Sequence, residues 1–378
     1  MKGDGVYGRL EHLRLLITTI YMNQIKKVVQ DGYKCDTDHS DLELAYISLK
    51  IALKAYTSTY KELQYEFAPL INTPTVDYSK ISAKNTYQIL YTETIIHFQH
   101  FFELVLKSFL RNEHPLLSDR IQDDQATLLF KILKGQKVTP KEDTQLLSIE
   151  FGETINRVIK LGCEIEEIKE LALSPVDFDT LRELNSLRNR IWHRGLFILN
   201  YNSLDILICK FVLPLLKKIL SKKVFTENES KWKYSQLACS LKPLEELFEM
   251  SNSESIDIGK IAMLKEFCRA AYNNPLDMNN IEDDYDFKCD NHTIMERYAA
   301  FARTNANDDF GDVTDCPVCG AFTLVHYKDC DFDLEDESEI ICYTTRVACS
   351  CCDFTLIRGF KNPREYGLPN IDDFHLHE

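Results

Sequence analysis

Apolar residues recur at three- and four-residue spacing from Arg9 to about Gln30, where Leu13, Ile17, Ile20, Ile25 and Val28 fall in step. The same period returns from Asp41 to about Leu70, so the chain opens with two predicted amphipathic helices joined by residues 31–40. A polar stretch from Asn72 to Asn85 leads into Thr86–Leu110, where Ile95, Phe98, Phe101, Phe102 and Val105 predict a central helix with a wide buried face. Shorter helices are expected at Asp124–Leu133, Lys141–Leu161 and Ile165–Leu171, punctuated by Gly135, Pro140, Gly162 and the Ser174-Pro175 step. Thr180 with Glu183 three positions on makes a capping box, and Gly195 stands where a helix-ending glycine belongs, which places a helix over Leu181–Arg194. Another is predicted over Ser203–Leu220, kinked at Pro214, and two more at Tyr234–Glu249 and Asp257–Tyr272 form an acidic connector. From about Asp308 the period shortens to β-type runs at Phe322–Tyr327, Ile340–Ala348 and Phe354–Phe360.

The fold class this predicts is mainly α. A helical N-terminal extension (1–80) precedes a helical bundle (81–224), an acidic helical connector (225–307) and a small β domain with a tail (308–378). A length of 378 residues suits several domains, and 44% hydrophobic with 27% charged residues is globular composition. The net charge of −15 is unevenly spread: residues 229–378 hold 14 Lys and Arg against 30 Asp and Glu, while the rest is near neutral. This counts against tight nonspecific binding of nucleic acid by the whole chain, and any contact with phosphate has to be local. The first twenty residues carry Arg9, Glu11, His12 and Arg14 where a signal peptide needs an apolar run, so a cytoplasmic protein is expected. Cys35, Cys163, Cys209, Cys239 and Cys268 sit singly in helical patterns, which suits reduced thiols.

The hexapeptide Arg188-Asn189-Arg190-Ile191-Trp192-His193 carries groups that core packing does not require. Leu184, Leu187 and Ile191 mark the core stripe of its helix, and Asn185, Asn189 and His193 form an i, i+4, i+8 row along the flank. Arginine recognises phosphate bidentately and histidine titrates near neutrality, a pairing suited to chemistry on a phosphodiester. Arg188 and His193 are about 140° apart on an ideal helix, so one helix alone makes half a site. Trp192 reads as a core or interface anchor, and His97 and His100 as packing or surface histidines.

The Arg-Asn-x-x-x-His spacing of Arg188, Asn189 and His193 resembles that of the HEPN superfamily, and Glu103-Leu-Val-Leu-Lys107 resembles the polar pattern of that family's first core helix. The resemblance spans residues 81–222. It implies a metal-independent endoribonuclease in which an RNA 2′-hydroxyl attacks the adjacent phosphate, leaving cyclic-phosphate and 5′-hydroxyl ends. His193 would be the general acid or base, Arg188 would hold the charge on the phosphorane, and Asn189 would orient the phosphate or the imidazole. Glu103, Lys107, Asn185 and Arg190 would bind or support. It further implies RNA as substrate, a homodimer that sets two motif ridges face to face, and a toxin or antiviral defence role. Family toxins modified on a tyrosine two positions past the histidine have no counterpart here, because that position is Gly195. The rival expectation is a noncatalytic adaptor, with the bundle as a dimerisation or nucleotide-binding module.

Cys316-Pro-Val-Cys319-Gly and Cys349-Ser-Cys-Cys352 are two C-x2-C pairs, the spacing that offers four thiolates tetrahedrally to zinc. With the β-type runs they resemble a zinc ribbon over residues 312–362, which implies a structural Zn2+ and no catalytic metal. Cys351 competes as a ligand, with Cys330, Cys342 and His326 as lesser substitutes. The acidic insert Asp329–Glu339 would repel phosphate, so the expected partner of this module is a regulatory or inhibitory protein, or the chain itself.

Overall fold

The computed structural model describes residues 40–67, 77–122, 125–139, 142, 145–193, 195, 197–252, 256–277, 291–308, 311–332, 340–357, 360–368 and 371. The helix expected at residues 9–30 lies outside them. Chain order begins with α1 (Ser40–Ser58), α2 (Tyr60–Phe67) and α3 (Tyr78–Ser82). It continues with the long α4 (Asn85–Glu113), then β1 (Asp119–Arg120), α5 (Ala126–Leu133), β2 (Leu147–Ser148), α6 (Phe151–Leu161) and α7 (Glu166–Lys169). The motif helix α8 (Pro175–His193) leads to α9 (Tyr201–Leu207), α10 (Leu213–Leu220), α11 (Lys223–Thr226) and α12 (Pro243–Glu249). Last come α13 (Ile258–Tyr272), α14 (Asn291–Asp308) and a four-stranded sheet, β3 (Asp312–Asp315), β4 (Phe322–Phe332), β5 (Ile340–Cys349) and β6 (Thr355–Ile357). The chain is thus a mainly helical bundle followed by a small β sheet, and no described helix is long and apolar enough to cross a membrane.

Three local departures from the sequence reading have physical causes. Helix α8 begins six residues earlier than Leu181, because Ser174 and Asp177 form the capping box. The Asp177 carboxylate accepts from the Ser174 N–H at 2.6 Å, the Ser174 hydroxyl accepts from the Asp177 N–H at 3.3 Å, and Pro175 occupies the first turn. Thr180 instead donates back to the Val176 carbonyl at 2.8 Å. The segment expected as helix from Lys141 is extended at Leu147–Ser148, paired antiparallel with β1, and helical only from Phe151. Its apolar period of Phe151, Ile155 and Val158 starts there, so the helix starts there too. Pro214, expected to kink its helix, follows a π turn. It has no N–H to give the Lys210 carbonyl, and the widened π turn over Ile208–Val212 takes up the mismatch between α9 and α10.

Helix α13, expected within an acidic connector, buries 13 of its 15 residues and is therefore a core element. It carries three charges that are fully or almost fully buried, Lys265, Glu266 and Arg269. Lys265 donates to Asp205 of α9 at 2.9 Å and to the Tyr201 hydroxyl at 2.8 Å, with its ammonium over the rings of Tyr56 and Tyr201. Burial pushes the lysine down and the aspartate up, and their mutual attraction opposes both shifts. Glu266 and Arg269 pair at 2.6 Å and reach the β module together. Arg269 donates to the Asp353 carboxylate at 3.1 Å and to the Asp353 carbonyl, while Glu266 accepts from the Thr355 N–H at 2.5 Å.

The sheet order β3-β4-β5-β6 is an antiparallel meander, with β3 absent from the sequence reading and the other three runs where the alternation placed them. Cys330 and Cys342, considered as substitute ligands, face each other across β4 and β5 and are joined by a disulfide. Cys163, Cys209, Cys239 and Cys268 are free thiols, and Cys35 lies outside the described residues, as does 333–339 of the acidic insert.

Replacing Lys265 by Met strands the Asp205 charge in the core and is expected to cost about 3–5 kcal/mol in urea unfolding. The double variant Lys265→Met with Asp205→Leu should recover most of that loss, because no buried charge is then left alone. Equal losses in single and double variants would show that packing and not pairing dominates.

Candidate functional site

The motif residues come together because α8 packs along α4 at the level where the β1–β2 bridge interrupts the helical run. Between these elements lies a cleft of about 940 Å³. Helix α8 contributes Asn185, Arg188, Asn189, Arg190 and His193, and α4 contributes Glu103 and Lys107, so all seven sequence candidates line one cavity. Gln99, Ser148, Glu150, Arg182 and Ser186 also line it and were not singled out from the sequence. Ser148 was hidden by the expectation of an unbroken helix from Lys141, and the signal that finds it is the onset of helical period at Phe151.

The two walls differ in how they are neutralised. On α4, Lys107 is buried and donates to Glu103 at 2.5 Å and to the Ser148 hydroxyl at 2.8 Å, while Gln99 donates to the other Glu103 oxygen at 2.8 Å. The glutamate is thereby committed to holding the lysine in place. On α8, Arg188 donates to the Asn189 side-chain oxygen at 3.0 Å and lies over the Trp192 ring, and Arg190 lies over the Phe197 ring. Among the described residues neither arginine has a carboxylate partner. His193 is exposed on the last described turn of α8. The cleft therefore presents two unneutralised guanidinium groups, an anchored ammonium, an amide and an imidazole, a set that suits a phosphate-bearing ligand.

The histidines of α4 stay out of the cleft lining. His100 shares a 2.9 Å hydrogen bond with Ser48 of α1, and burial pushes it below the ordinary histidine range, as it does His97. His100 thus serves as a bond between α1 and α4.

A second constellation is built in the β module. The Sγ atoms of Cys316, Cys319, Cys349 and Cys352 lie within 4.8 Å of one another, with Cys316–Cys352 at 3.6 Å and Cys319–Cys349 at 3.7 Å. A tetrahedron of thiolates each about 2.3 Å from a metal ion has edges of roughly 3.8 Å, so the four can hold one ion. Each pair ends on a left-handed residue, Gly320 (φ 74°) and Asp353 (φ 61°), which turns the chain back after its second cysteine. Backbone N–H groups of Val318, Cys351 and Cys352 point at ligand sulfurs at 3.3–3.5 Å. Cys351 is buried beside the set and is not one of the four. His326 is outside it too, hydrogen-bonded to Thr314 at 2.9 Å.

Compared with protein-family models, with curated proteins and with solved structures, the chain matches none.

The module should hold one metal ion per chain. Removing it should expose Cys316, Cys319, Cys349 and Cys352 to alkylation together, read by mass spectrometry of the labelled peptides. Protection that persists in metal-free protein would show that packing alone shields these thiols.

Proposed function

We propose that the chain is an endoribonuclease of the HEPN type, cleaving RNA without a catalytic metal. The observation that carries this reading is that Arg188, Asn189 and His193 share one cleft with Lys107 and Glu103 from a different helix. The 2′-oxygen forms a bond to the adjacent phosphorus as the bond from phosphorus to the 5′-oxygen breaks. His193 takes the 2′-hydroxyl proton and a proton returns to the departing 5′-oxygen, so a 2′,3′-cyclic phosphate and a 5′-hydroxyl result and no water is consumed. Arg188 and Arg190, which have no carboxylate partner among the described residues, meet the charge on the phosphorane, and Lys107 is held ready by Glu103 and Ser148. A homodimer would bring a second Arg188 and His193 to the far side of the same phosphate.

For the four thiols we propose zinc, since soft thiolates in tetrahedral array are its usual structural set. Four protein ligands leave no open position, so the ion's contribution goes to folding the module and not to the reaction.

Purified protein incubated with total RNA in EDTA, with metal content measured afterwards, should generate cyclic-phosphate ends. Arg188→Ala is expected to lower the rate about 10²–10³-fold and His193→Ala about 10²–10⁴-fold. Identical products from wild type and both variants would sink the ribonuclease reading in favour of a noncatalytic adaptor.

A further inference from the structure

Two large aromatic rings beside the cleft have no part in the cleavage chemistry. Trp192 is 64% exposed on the last turn of α8, and Phe197, in the segment that follows, is 42% exposed. Expected as a core or interface anchor, Trp192 is not in the core, where Leu181, Leu184 and Leu187 fill that role. Each ring lies beneath a cleft arginine: the Arg188 guanidinium carbon is 5.6 Å from the centre of Trp192, and that of Arg190 is 4.9 Å from Phe197. The surface thus alternates flat apolar faces with cations that have no carboxylate partner among the described residues.

A ligand that matches this alternation carries flat rings and anionic groups in turn. Single-stranded nucleic acid has that chemistry, because its unpaired bases can leave their stack and lie on protein rings while its phosphates meet arginine. A duplex keeps its bases stacked on one another and offers only phosphates. Two copies of this chain facing each other here would set arginine against arginine, a repulsion that an anionic strand held between them relieves.

We propose that Trp192 and Phe197 form a base-stacking platform that admits unpaired nucleotides to the cleft, with Arg188 and Arg190 holding the phosphates between the stacked bases. The identity of the strand as RNA rests on the ribonuclease reading; the stacking itself does not. The platform makes Trp192 and Phe197 specificity-determining residues, selecting strands with unpaired bases over duplex.

The chain has only two tryptophans, and Trp232 is 4% exposed, so Trp192 dominates any ligand-dependent change in tryptophan fluorescence. The full-length protein would be titrated with a single-stranded oligodeoxynucleotide, which has no 2′-hydroxyl and is not cut. The same strand with abasic sites, its duplex and inorganic polyphosphate would be run beside it. Quenching by the intact single strand alone is expected. In anisotropy with a labelled strand, Trp192→Ala should weaken binding roughly 5- to 150-fold, the range for losing one stacked base.

Equal binding of the abasic strand, duplex or polyphosphate would overturn the platform and leave a charge-only surface. A Trp192 signal that follows protein concentration and ignores the strand would overturn it in favour of a second copy. Cleavage of RNA that depends on Arg188 but comes without quenching sinks the platform and spares the ribonuclease reading. Quenching without cleavage does the reverse.

Discussion

Three charges buried side by side on one helix constrain this molecule more than any other feature. Lys265, Glu266 and Arg269 lie in the interior of α13, where an unpaired charge costs several kcal/mol, so every element that neutralises them has its position dictated. Lys265 fixes α9 through Asp205 and Tyr201, and draws α1 in through the Tyr56 ring. Glu266 and Arg269 fix the turn that follows Cys352. Tyr201 then passes the constraint outward: its N–H donates to Ser82 at 3.0 Å, and its ring packs against Tyr87 at the start of α4. The Tyr87 hydroxyl in turn donates to the Leu199 carbonyl at 2.8 Å, just beyond the end of α8. A chain of contacts thus leads from the buried charges to the loop that follows the Arg-Asn-x-x-x-His segment.

The cleft and the four-cysteine turn sit on opposite sides of this arrangement in chemical character. One leaves Arg188 and Arg190 without a carboxylate partner among the described residues, while the other binds its polar groups into a closed set. The uneven charge of the chain fits the same division. Acidic residues gather in the C-terminal part, and Arg188 and Arg190 act in a near-neutral stretch where nothing described neutralises them. A single anionic ligand can then be recognised locally by a protein of net charge −15.

Much of this was legible in the chain, and the failures are instructive. The periodicity of Thr86–Leu110 located α4, and two C-x2-C spacings located the four-thiol cluster, because both signals are local. The ridge of Asn185, Asn189 and His193 was a matter of helical geometry and survives in the cleft lining. Ser174 as the cap was overlooked because Thr180 and Glu183 offered the same pattern six residues later. Ser148 was invisible because its bond to Lys107 spans 41 residues, a tertiary fact, whereas Gln99 meets Glu103 locally, one turn along α4, and was overlooked. Helix α13 was placed in an acidic connector because its long-range partners are not visible in sequence: Asp205, Asp353 and Thr355 are what allow Lys265, Glu266 and Arg269 into the core.

The contact between α13 and the β module also bears on the order in which the protein matures. Arg269 and Asp353 are separated by 84 residues in sequence, and Glu266 and Thr355 by 89. During synthesis from the N-terminus, α13 leaves the ribosome long before those partners do, and Glu266 and Arg269 have only each other. The helical core reaches its final packing once the second cysteine pair and its following turn have emerged. A nascent chain is therefore held short of this packing until Asp353 and Thr355 have been translated.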